Sequence, residues 1–213
     1  MIIAVDGPAA SGKGTLSKRL AKHLGYAHLD TGKIYRAVGF SVLASGGDPG
    51  DPATAVAAAR ALTPEALENP DLVEDSVAAA ASKAAAIGQV RDLLLAFQRD
   101  FAATPPGGAA GAVLDGRDIG TVVCPDAEIK LFVDADVEVR AKRRYKELLD
   151  RGEATIYSHV LQDLKDRDDR DRNRSVAPLK PAADSFVLDT STLDAENAFR
   201  AALAYIESGN TGA

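Results

Sequence analysis

Short apolar blocks that stop at an aspartate alternate along this chain with longer stretches of helical spacing. Residues 2–5 read as a buried strand ending at Asp6, and Leu16, Leu20 and Leu24 share one face of a predicted helix that Gly25 terminates. Residues 26–29 predict a short strand ending at Asp30, and 31–44 the next helix, closed by Gly46-Gly47-Asp48-Pro49-Gly50. Residues 53–62 are helical by alanine content. Thr63-Pro64-Glu65 opens a short helix that Asn69-Pro70 stops, and 75–103 is a long helical stretch with a break near Gly88. After a Pro/Gly loop at 104–111 come a strand at 112–114 ending at Asp115 and one at 128–133 ending at Asp134. Asp136 caps a helix to about Leu149, 158–174 is a second, charged helix, 185–188 the last strand and 193–208 the closing helix, with a frayed tail at 209–213. Five strands separated by helices predict an α/β fold: a parallel sheet covered on both faces, with its ligands at the strand carboxyl ends.

Composition narrows this picture only a little. A chain of 213 residues with 46% hydrophobic content fits one domain with an ample core. The apolar start is too short for a secretory signal, no run is long enough for a membrane span, and the single cysteine, Cys124, excludes an internal disulfide. A soluble cytoplasmic protein that acts as a monomer is therefore expected. The net charge of −6 argues against a nucleic-acid partner. Residues 140–180, however, carry 12 Lys/Arg against 8 Asp/Glu, a local cationic excess that suits a small anionic ligand.

The chemistry concentrates in four places. Gly7-Pro8-Ala9-Ala10-Ser11-Gly12-Lys13-Gly14-Thr15 follows the first strand and opens the first helix. This is the arrangement of a phosphate-cradling loop: backbone N–H groups and the helix N-terminus meet the phosphates, and Lys13 reaches the terminal ones. Gly14 stands where Ser or Thr usually follows the lysine, and Thr15 comes next. Asp115-Gly116-Arg117-Asp118 ends a strand, where Asp115 with the Thr15 hydroxyl suits a nucleotide-bound Mg²⁺. Residues 166–174 hold four Asp and four Arg, and Arg167, Arg170, Asp171 and Arg174 share one helix face. Asp30-Thr31-Gly32-Lys33-Ile34-Tyr35-Arg36 places Tyr35 and Arg36 just beyond the second strand. His23, His28 and His159 lack metal spacing and read as structural or exposed.

Together with Ala177-Pro178-Leu179-Lys180-Pro181-Ala182, these segments resemble the bacterial cytidylate kinase family, in that family's order, from residue 2 to about 192. The resemblance accounts for Gly14, since this kinase group places Gly before Thr. It implies a P-loop kinase three-layer fold with a core at about 1–35, 110–148 and 174–213. A helical segment at about 36–109 would bind the nucleoside monophosphate, and a lid would span about 149–173. It also implies transfer of the ATP γ-phosphoryl group to CMP and dCMP with Mg²⁺. By motif position, Thr31, Arg91, Asp118 and Arg174 would surround cytosine, and Ser82, Arg167 and Asp171 would touch the pentose. Arg36 and Arg117 would hold the acceptor phosphate, with Tyr35 in the same substrate set. Arg140 and Arg144 would serve ATP, and Arg170 and Arg172 would close from the lid. Lys13 with Arg117, Arg170 and Arg172 would form the catalytic set. The family often carries a small extra sheet in its acceptor segment; residues 62–77 stand there without strand pattern. Two other readings stay open: a different P-loop kinase (adenylate, uridylate or shikimate), or a regulatory nucleotide switch, against which no Asn-Lys-x-Asp base-reading motif is found.

Overall fold

Alternate residues of the first strand enter two different cores, and this sets the layering of the molecule. The structure, a computed structural model, describes residues 1–209, so the rest of the expected frayed tail lies outside the described residues. The strands are β1 (Ile2–Asp6), β2 (Ala27–Asp30), β3 (Ala112–Gly116), β4 (Ile129–Asp134) and β5 (Phe186–Asp189). They pair in parallel in the order β2-β3-β1-β4-β5. Ile3 and Val5 pack with Leu16, Leu20, Leu131 and Ala202 on one face, while Ala4 packs with Leu114, Ile119 and Val123 on the other. With β1 and β3 central, every side chain of theirs but Ile2 is buried, as a sheet covered on both faces requires.

Helices α1 (Lys13–Leu24) and α8 (Ala195–Gly209) cover the first face. The second carries α2 (Thr31–Ala44), α3 (Pro52–Arg60), α4 (Asp75–Ala84) and α5 (Gly88–Ala103). These four helices build a satellite core from Ile34, Val38, Ala55, Ala81, Val90 and Leu94. The break expected near Gly88 separates α4 from α5, and residues 62–77 form two 3₁₀ turns before α4, with no strand among the described residues there. Helices α6 (Val137–Asp150) and α7 (Tyr157–Asn173) follow β4, and Asp136 caps α6 as expected, accepting from the Glu138 and Val139 amides. One element had no signal in the pattern: a single π-helical turn at Ile119–Val123, directly after Asp118. No described helix is long and apolar enough to cross a membrane.

Candidate active site

The strand ends converge on the loop between β1 and α1. Gly7 is irreplaceable there, since a Cβ would sit 2.0 Å from the Val133 carbonyl oxygen. Gly12 at φ +90° turns the chain into α1, whose first turn has no side-chain cap. Its open N–H groups and dipole therefore favour an anion. Ala10 is left-handed at φ +58° without being glycine, which costs about 1 kcal/mol and needs a compensating contact. Lys13 opens α1, and its ammonium has one long contact, to the Pro8 carbonyl oxygen at 3.5 Å. Burial and the nearby Arg117 charge push Lys13 down to about 7.

Asp115 lies beneath this loop, with one carboxylate oxygen 4.0 Å from where a Cβ on Gly14 would stand. The other oxygen is 2.7 Å from His28 Nε2, a structural contact of the kind the sequence reading allows. Thr15 is exposed at the loop rim. One buried carboxylate and one hydroxyl fit a Mg²⁺ that takes its remaining ligands from phosphate and water, and no group of three metal-binding side chains exists among the described residues.

Asp6 closes the loop from below. Its two oxygens accept the Ile119 and Gly120 amides at 2.7 and 2.8 Å, pinning the π turn that follows Arg117 and Asp118. Burial raises this carboxyl from 3.8 to about 7, outweighing the two amides, which favour its ionised form. Between about pH 4 and 7 the folded state thus keeps a proton that the unfolded chain releases, so this group's contribution to stability falls as pH rises through that window. Asp6→Asn should gain stability relative to the native chain as pH rises from 5 to 8. Melting temperatures of both proteins across that range check this, and a constant difference would remove Asp6 as the titrating group.

A second cluster gathers beyond β3. Asp118, 4% exposed, sits between Arg91, which it contacts directly, and Arg174 at 3.6 Å. Arg91 also lies 5.5 Å from the Tyr35 ring centroid. Thr31, expected at the base, spends its hydroxyl proton on the Asp115 carbonyl at 2.8 Å. The Asp171 carboxylate of α7 joins three elements: it accepts from Ser82 of α4 at 2.8 Å and from Arg117 at 2.9 Å, while Arg170 donates to the same Ser82 oxygen at 2.9 Å. Arg117 and Arg167 hold Asp171 below the ordinary carboxylate range against the pull of burial.

Lys13, Arg36, Arg117 and Arg167 stand close enough for their charges to act on one another. Burial and the Arg117 charge bring Arg167 down to about 10, with Arg36 and Arg144 adding to the repulsion. Among the described residues no carboxylate stands within 4.0 Å of a nitrogen of Lys13 or Arg167. Arg36 is held at 2.6 Å by Asp30, and exposed Arg172 stands 4.0 Å from Asp134. Beside the loop, Ser11, Gly12, Leu16, Val133, Thr190 and Leu193 line a cavity of about 220 Å³.

Two arginines expected at ATP have other partners. Arg144 pairs with Asp75 and Glu147, joining α6 to the start of α4. Arg140 is buried, with its guanidinium bound to Asp168 and to the Ala135 and Ala9 carbonyls, which leaves it no open face for a triphosphate. Sequence reasoning also missed Asp6 as an anchor and Asp168 as a partner. Both are ordinary aspartates in the sequence, and only the fold supplies their contacts.

The matches to known proteins agree with this geometry. The family model for cytidylate kinase matches residues 3–208. A cytidylate kinase of Paramagnetospirillum magneticum is 62% identical over 97% of this chain and 98% of its own. One of Bradyrhizobium diazoefficiens is 57% identical over 100% and 98%. A solved structure of an uncharacterized protein from Eubacterium ventriosum, 16% identical, shares the fold at a TM-score of 0.56 over 98% of this chain and 99% of its own. With relatives this similar along almost its whole length, and a family model that matches nearly all of it, the chain is a phosphotransferase and belongs to the cytidylate kinase family.

Proposed function

We propose that this protein transfers the γ-phosphoryl group of ATP to CMP and dCMP, giving ADP and CDP or dCDP. The observation that carries this reading is the cluster of Lys13, Arg36, Arg117 and Arg167, in which Lys13 and Arg167 have no carboxylate within 4.0 Å among the described residues. Arg36 and Arg117 already pair with Asp30 and Asp171, so phosphates would balance chiefly the charges of Lys13 and Arg167. Phosphoryl transfer runs through a loose transition state, so positioning and charge stabilisation supply the catalysis. The α1 N-terminus and Lys13 take the ATP phosphates, and the cavity of Leu16, Val133 and Leu193 receives the adenine. Thr15 and Asp115 would hold Mg²⁺, which would supply charge neutralisation on the triphosphate. Arg36 and Arg117 orient the acceptor phosphate, and Arg170 closes over it from the lid. Exposed Arg172 joins it on closure, excluding water that would otherwise accept the phosphoryl group. All these groups come from one chain, so a monomer suffices. Coupled ADP release measured across CMP, dCMP, UMP, AMP and GMP tests the reading; a preference for any base but cytosine overturns it.

Sugar choice follows from Asp171 and Arg167, four residues apart on α7, which together offer an acceptor and a donor to the 3′-hydroxyl that CMP and dCMP share. The two substrates should therefore agree within about tenfold in kcat/KM, or ~1.4 kcal/mol. Asp171→Ala should raise KM for both together, by about tenfold or more, because it also frees Arg117 and Ser82. A lowered melting temperature with both KM values unchanged would restrict Asp171 to holding its neighbours.

A further inference from the structure

Arg140 is only 2% exposed, and its guanidinium joins three parts of the molecule. Nε donates to the Ala135 carbonyl at 2.9 Å, just past β4. Nη1 donates to the Ala9 carbonyl of the phosphate loop at 3.2 Å. Nη1 and Nη2 grip both Asp168 oxygens on α7 at 3.2 and 2.5 Å. Ala9 reinforces the joint by packing against Ala141 of α6 and Leu164 of α7.

The loop at this point is under strain. Ala10, the next residue, is left-handed at φ +58°. The Ala9–Ala10 peptide is planar, so anchoring its carbonyl on Arg140 turns the Ala10 N–H the opposite way, away from the guanidinium. A phosphate cradle depends on such N–H directions. On α7, Asp168 adjoins Arg167, whose guanidinium has no carboxylate within 4.0 Å among the described residues. One guanidinium therefore holds both the strained peptide of the cradle and the helix that carries Arg167.

We propose that Arg140 is a positioning residue for phosphoryl transfer: it fixes the Ala9–Ala10 peptide for the triphosphate and, through Asp168, ties that peptide to α7. This rests on the reading of the site as an ATP-dependent kinase, and it replaces direct contact of Arg140 with ATP. Arg140→Lys keeps the charge but cannot make the two-pronged grip and reach Ala9 as well. Asp168→Asn keeps the shape and weakens the grip from the other end.

The test is steady-state kinetics with ATP and CMP on both variants, their double, and Arg140→Lys combined with Ala10→Gly, alongside melting temperatures. Each single variant should raise KM for ATP about tenfold or more, and KM for CMP less. The double variant should be no worse than the poorer single, because both break one joint. Ala10→Gly should restore at least about a third of the lost kcat/KM for ATP, since glycine holds the left-handed conformation without the anchor. A lower melting temperature with KM for ATP unchanged overturns the proposal. So does an effect of Arg140→Lys that Asp168→Asn does not share, which would mark direct contact with ATP, or a defect that Ala10→Gly leaves untouched. Where Arg140→Lys does not fold, Asp168→Asn with and without Ala10→Gly decides by the same criteria. A native chain that turns over no CMP with ATP fails the underlying reading separately.

Discussion

Lys13→Ala is expected to lower kcat by at least about a thousandfold, ~4 kcal/mol of transition-state stabilisation, while leaving the empty protein no less stable. The second half of this expectation follows from what Lys13 lacks. Among the described residues its ammonium meets one carbonyl at 3.5 Å and no carboxylate within 4.0 Å, and burial with the Arg117 charge lowers it to about 7. Its folded-state value lies below the unfolded one. Between about pH 7 and 10.5 the unfolded chain therefore holds a proton that the folded chain does not, and the contribution of Lys13 to stability rises with pH through that window. Near neutral pH the charged lysine burdens the ligand-free fold, and alanine relieves it. The melting temperature of Lys13→Ala should match or exceed that of the native chain at pH 7, with the gap shrinking by pH 9. The charge is maintained because it is needed on the migrating phosphoryl group. Near-native turnover in this variant would sink the assignment of the loop, and a large loss of stability at pH 7 would mean that Lys13 has a structural partner.

How far the sequence reached depended on whether each signal was local. β1, the glycine loop and α1 are written in adjacent residues, so strand, turn and helix follow from them directly, although α1 starts at Lys13 and not at Leu16. The break between α4 and α5 was visible because Gly88 interrupts a run of helix formers. The π turn at Ile119–Val123 was not, because it exists to meet Asp6, more than a hundred residues away. Arg140 shows the same limit. The family resemblance places Arg140 at ATP by motif position, yet the fold turns it inward onto Asp168 and Ala9. The partner of His28 was not legible either, because Asp115 lies on the neighbouring strand. Helix faces and loops are local properties; the partners of buried charges are decided by the tertiary fold.

Asp118→Asn should lower kcat/KM for CMP about a hundredfold and reduce the preference for CMP over UMP by about tenfold or more, the ~1–3 kcal/mol of one base-reading pair. A carboxylate offers about four acceptor positions. Arg91 and Arg174 approach one oxygen each, which leaves acceptor capacity for the exocyclic amino group of cytosine. Uracil presents a carbonyl at that position and would face Asp118 acceptor to acceptor. Asparagine can turn its NH₂ toward the uracil carbonyl, so the discrimination falls along with the rate. The same exchange leaves two buried arginines, 7% and 3% exposed at their side chains, without their carboxylate. Removing one partner of a buried ion pair costs about 3–5 kcal/mol, so the variant should also melt lower, and saturating CMP should recover less of that loss than it adds to the native chain. Kinetics with both nucleotides, measured below the variant's melting temperature, separate the two effects. If the folded variant keeps the native CMP/UMP ratio of kcat/KM, Asp118 holds Arg91 and Arg174 in place and the base is read elsewhere.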